Sequence, residues 1–128
     1  GLKLGIIISI GYAPEKIPLK QEGIRTAIRL RTKKPAQIMT ADGTPTEPEQ
    51  MPEWFNLGIN AVLACPTAIN KLPVVFDLTD GAVSASMPNQ RHLIQDYDLG
   101  ISKLHFELAA DLKGTWELGQ PGRFIVSE

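Results

Sequence analysis

The sequence predicts an α+β fold in which a mixed or antiparallel sheet packs against a central buried helix. Three observations point to it. Residues 52–65 include Trp54, Phe55, Leu57, Ile59, Ala61, Val62, Leu63 and Ala64 and are apolar on nearly every side, the pattern of a helix inside a core. Two strand-like runs, 73–78 and 83–87, flank Thr79-Asp80-Gly81-Ala82, and Asp-Gly between such runs signals a hairpin. The chain closes on a second pair of short runs, 115–118 and 123–126, joined through Gly119-Gln120-Pro121-Gly122.

Taken in order, residues 4–10 read as a β-branched strand buried by composition and closed by Gly11-Tyr12-Ala13-Pro14. Residues 13–20, with two prolines, read as an extended crossing. Ile24, Ala27, Ile28 and Leu30 then fall near helical spacing, with Arg25 and Arg29 on the polar side, which predicts a helix over 22–31 ended by Pro35. Residues 40–52 hold three prolines and a glycine and read as loop. Within them Thr46-x-x-Glu49 resembles a capping box, and Pro52 suits the first turn of the central helix. That helix should stop at Pro66, because the residue before a proline avoids helical backbone angles. After the first hairpin, residues 88–97 read as polar loop. Asp98 is placed to cap a helix through Leu112, with Ile101, Leu104, His105 and Leu108 on its inner stripe and Gly114 beyond its end.

Composition excludes several classes. The chain has 128 residues, one domain's worth, with 43% hydrophobic and 21% charged residues, so neither disorder nor a fibrous repeat fits. No apolar run approaches the ~20 residues of a membrane helix. One cysteine, Cys65, rules out an intrachain disulfide and a cysteine-rich zinc site and suits a reducing, cytoplasmic setting. With two histidines, His92 and His105, no metal site is expected. Residues 1–34 carry eight basic and two acidic side chains, while the remaining 94 carry five basic and twelve acidic ones. A basic block of that kind either faces solvent or meets an anion, and a nucleic-acid or protein partner is the reading it would support. The absence of aromatics in the basic segment 20–34 disfavours nucleic acid.

Phosphate loops, dinucleotide fingerprints, hydrolase elbows and zinc-protease motifs are absent. Cys65, ending an apolar helix, reads as core packing rather than a nucleophile, His105 as a hydrogen-bonded structural side chain, and Trp54 and Trp116 as core or rim aromatics. No catalytic acid, base or nucleophile is assigned. One segment stands out: the helix stops at Pro66, and Thr67, Ala68 and Asn70 follow before Pro73 leads into a strand. Such a break exposes a hydroxyl, an amide side chain and backbone groups together. Read alone it is a helix-ending turn or a set of donors and acceptors for a flat heteroaromatic ring.

This segment resembles the Ala-Pro-Ser-x-x-Asn-x-Gln-Pro break of the FMN-dependent nitroreductase superfamily. Residues 6–12 with Ala13-Pro14 look like that family's late strand ending in Gly-Tyr-Pro, and Asp98-Leu99-Gly100-Ile101 looks like its Asp-x-Gly-Ile interface helix. The late-strand motif precedes the helix break, an order similar to that of internally duplicated nitroreductases, whose single chain carries two halves. The resemblance therefore implies a nitroreductase-like, pseudo-dimeric fold. In it residues 1–128 form a single domain, the C-terminal part of a longer chain: 1–20 would end a first half and 21–128 would form a shortened second half. It further implies an NAD(P)H oxidoreductase with FMN at the interface of two halves, passing hydride to a nitro compound, quinone or similar small-molecule acceptor. Pro66, Thr67, Ala68 and Asn70 would meet the flavin ring. Arg31 and Lys33 stand at the phosphate motif, where Lys33 replaces its serine, Pro35 its second arginine, and Leu72 the glutamine of the ring motif. The partner would be the missing N-terminal half or a second copy of the chain. A flavin- or ligand-binding homologue without turnover is the alternative within the same resemblance.

Overall fold

The computed structural model describes residues 10–12, 16, 19–29, 33–67, 71–88, 94–119 and 121–126. Helix α1 runs Leu19–Arg29, three residues earlier at its start than the periodicity implied, so that the expected extended crossing over 13–20 does not include Leu19 and Lys20. Of the expected opening strand, residues 4–9 lie outside the described residues. Its last member, Ile10, is 96% exposed and has no regular structure, so the strand does not reach it.

Residues 40–52 are not all loop. Strands β1 (Met39–Ala41) and β2 (Thr44–Pro45) form a two-residue hairpin, and a 3-10 turn follows at Pro48–Gln50. Asp42 and Gly43 both take positive φ (49° and 74°), the mirror-image turn that Asp-Gly favours. The proline-rich flank hides this signal from a reading based on alternation. The capping box does not form. Thr46 donates its hydroxyl to the carbonyl of Thr44, and Pro52 takes the N-cap position of α2 (Glu53–Ala64).

The second Asp-Gly hairpin falls where expected, with β3 (Val75–Thr79) paired to β4 (Ala82–Ser86) and Asp80 and Gly81 at φ 50° and 76°. Helix α3 (Ile94–Ala109) is followed by β5 (Gly114–Trp116) and β6 (Gly122–Val126). The sheet is mixed, ordered β2-β1-β3-β4-β6-β5, and β1 and β3 form its parallel pair, joined through α2.

Strand alternation puts Met39, Phe76, Val83, Ala85 and Phe124 on the buried face, against α2 and α3. The opposite face carries Thr40, Asp77, Ser84 and Arg123 in one cross-strand row. Aromatic rings dominate the core. Phe76 stacks on Phe106 (centroids 4.7 Å apart, 14° between planes), and Trp54, Phe55 and Trp116 meet Phe106 edge-on. Both tryptophans are therefore core or rim aromatics, as expected. An ideal Cβ on Gly58 would lie 2.6 Å from the Phe106 ring, so glycine at that position lets α3 approach α2.

Two helix expectations need correction. Helix α2 is buried along Phe55, Gly58, Ile59 and Val62 but leaves Leu57 half-exposed, so it is a one-sided helix sharing the core with α3. In α3, Asp98 is no cap. It sits inside the helix and is buried. The inward stripe is Leu99, Ser102 and Phe106, continued by buried Ala110 just past the helix end, whereas Leu104 (53% exposed) and Leu108 (72%) face outward. Ile101 and His105 lie between the two faces, half-buried, and His105 Nδ1 is 2.8 Å from the Ile101 carbonyl oxygen.

Candidate functional site

The helix break after α2 is built from its last turn. The Cys65 amide donates to Val62 (3.2 Å), and then the backbone turns extended at Cys65 (φ −71°, ψ 146°), as Pro66 demands. The chain leaves the core there: Cys65 is buried, Pro66 exposed and Thr67 half-buried. Cys65 Sγ lies 3.5 Å from Ser102 Oγ on α3, and Ser102 donates to the Asp98 carbonyl at 2.7 Å. Burial pushes the Cys65 thiol up, and the Asp98 charge adds to this against the hydrogen bond to Ser102. A thiol held protonated in a core is a poor nucleophile, which agrees with its reading as packing.

Thr67 ties the loop to the sheet entry. Its hydroxyl oxygen accepts the amide hydrogen of Leu72 at 3.1 Å. A hydroxyl that accepts still has its own proton to give, so Thr67 keeps a donor for a group placed beside it. Leu72 sits at φ 41°, a left-handed conformation that is strained for a bulky side chain, and buries that side chain in the core. The Thr67 bond and the burial of Leu72 together hold this conformation, and the buried Leu72 side chain is apolar and offers no hydrogen bond to a ligand.

Of the other residues singled out from the sequence, Ala68, Asn70, Arg31 and His92 lie outside the described residues. Lys33 is half-buried on the segment ahead of a 3-10 turn at Pro35–Gln37 that packs against α2, and burial lowers its affinity for its proton. The structure thus describes Pro66, Thr67 and Lys33 from the proposed set. A ring edge needing one donor fits the Thr67 hydroxyl, and a phosphate fits the charge of Lys33.

Two groups carry features that the sequence reading overlooked. Asp77 on β3 gathers donors from Thr40, Thr79 and the Gly43 amide, and Lys103 on α3 is buried among apolar residues. The signal for Lys103 was present: it lies on the helical stripe that passes through Leu99 and Phe106. Among the described residues, no group of three or more His, Cys, Asp or Glu side chains could hold a metal ion, and no helix is long and apolar enough to cross a membrane.

Compared with protein families, residues 1–110 match the family described as "Putative TM nitroreductase". No curated protein and no solved structure matches the chain.

Proposed function

Since the chain belongs to this nitroreductase family, we propose that it works as part of an FMN-dependent NAD(P)H oxidoreductase acting on nitro compounds, quinones or similar acceptors. The family match over residues 1–110 carries this reading. FMN, when bound, would supply the two-electron carrier between nicotinamide and acceptor, chemistry that no side chain of this protein offers.

The chain's own part is binding and orientation. Pro66 ends the helix and brings the backbone out of the core, and Thr67 presents a hydroxyl proton whose oxygen is already fixed by Leu72. Ala68 and Asn70 would add backbone and amide partners to a ring edge, and Arg31 and Lys33 would carry positive charge toward a phosphate. No residue needs to move a proton as a catalytic acid or base.

The site would be completed by the N-terminal half of a longer chain or by a second copy. The outward apolar row of α3, Leu104 and Leu108, supports such a partner face. The test is addition of FMN to the chain extended upstream, read as tight binding with a visible flavin band, together with Thr67→Ala and Asn70→Ala. Binding weakened by either variant supports the reading, and no flavin retention refutes it. NAD(P)H oxidation with a quinone separates an oxidoreductase from a flavin-binding homologue without turnover.

A further inference from the structure

A cavity of about 380 Å³ lies between α3 and the turn after β5, lined by Asp96, Leu99, Gly100 and Lys103 on the helix and by the stretch from Trp116 to Gly119. Lys103 is its unusual member. The side chain is only 8% exposed, yet among the described residues its ammonium has no carboxylate within ion-pair distance. It donates to the Glu117 carbonyl at 3.3 Å and sits 5.2 Å from the centroid of the Trp116 ring. An ammonium has three N–H donors, and among the described residues one hydrogen bond and one ring face account for only part of them, the Nζ lying against the backbone of Gly122.

Buried charges in proteins are normally paired, because removing an ion from water is costly. Burial here lowers the proton affinity of Lys103, with Glu117 acting in the other direction. The nearest acid does not close the pair: Glu117 is exposed, and its Oε2 accepts the backbone amide of Arg123 at 3.2 Å. The walls around the lysine are apolar, Leu99 and Trp116 inside and the fully exposed Leu118 at the lip. Gly100 and Gly119 have open space where a Cβ would stand, so nothing narrows the cavity there.

We propose that this cavity binds a small apolar carboxylate, whose oxygens accept from Lys103 and whose body lies against Leu99, Trp116 and Leu118. A free organic acid and an apolar amino acid share this chemistry. They differ in the ammonium of the amino acid, which would meet the exposed Glu117 at the rim. The proposal does not depend on the flavin reading, since none of the residues assigned to FMN lines this cavity.

The test is titration calorimetry of the whole chain with hydrocinnamate, phenylalanine and phenethylamine. Hydrocinnamate or phenylalanine should bind saturably, one per chain, and Lys103→Met should weaken that binding about tenfold or more, the worth of a hydrogen bond to a charged group. Tighter binding of hydrocinnamate identifies an organic-acid site, and tighter binding of phenylalanine an amino-acid site. Leu118→Asp changes a side chain with no packing to lose and should also weaken binding, so the test survives a misfolded Lys103 variant. Absence of saturable binding by both acids at millimolar concentration overturns the proposal. So does phenethylamine binding as tightly as hydrocinnamate, or binding by Leu118→Asp as tight as that of the parent.

Discussion

The carboxylate of Asp77 on β3 accepts the amide hydrogen of Gly43 at 2.8 Å, across the parallel β1/β3 pair and 34 residues along the chain. The same oxygen takes the Thr40 hydroxyl, and the second oxygen takes that of Thr79 at 2.6 Å. One side chain therefore fastens the first Asp-Gly turn to the middle of the sheet.

Burial alone would raise the pKa of Asp77, but the hydrogen bonds from Thr40, Thr79 and Gly43 outweigh it and hold the carboxyl below its usual range. A depressed folded pKa means that this stabilisation is present above the unfolded value of about 4 and is lost as pH falls through the folded one. Asp77→Asn should therefore lower the Tm at neutral pH, by an amount equivalent to about 1 kcal/mol. The gap between parent and variant should shrink on acidification. A gap that is constant from neutral to acid pH contradicts the assignment.

Gly58→Ala places a methyl group against the Phe106 ring at 2.6 Å. Helix propensity favours alanine by about 1 kcal/mol, but overpacking costs about 1–3 kcal/mol. The variant should be less stable in urea, and a midpoint equal to or above the parent's would show that α3 can yield.

Phe106→Ala removes the ring shared by Phe55, Phe76, Trp54 and Trp116. The expected loss is about 3–5 kcal/mol, read from chemical denaturation, with Phe106→Leu costing less because it fills part of the space. A loss under about 1 kcal/mol would place the centre of the core elsewhere.

Cys65 should react slowly with thiol reagents in the native protein and rapidly in urea, because it is buried and its thiol is held protonated. Labelling at equal rates in both conditions contradicts that burial.

Leu108→Glu tests the outward face of α3. If Leu104 and Leu108 meet a second copy, sedimentation of the parent chain should show concentration-dependent association that the variant loses. A parent that sediments as a monomer at every concentration contradicts a second copy as the partner of this face.

Local chemistry made much of the fold legible. Asp80-Gly81 placed its hairpin correctly, since only residues tolerant of positive φ serve such a turn. Pro66 ended α2 by steric exclusion. Asp42-Gly43 carried the same signal and was passed over, because β1 and β2 are too short to alternate and sit among prolines. In the candidate site, the change from buried Cys65 to half-buried Thr67 follows from the same proline. The Leu72 bond to the Thr67 hydroxyl does not, because it depends on where the strand entry is held.

By itself the sequence determined helices α1, α2 and α3, the β3–β4 and β5–β6 hairpins and their order, together with the end of α2, all of which rest on interactions a few residues long; it did not determine β1 and β2. The tertiary structure decided which side of α3 faces the sheet. That helix offers two apolar stripes, one through Leu99 and Phe106 and one through Ile101, Leu104 and Leu108, and helical period cannot rank them. The first stripe is buried because Phe106 finds Phe55, Phe76 and Trp116 around it, rings supplied by three other elements. The same rotation carries Lys103 inward and Leu108 out to the surface.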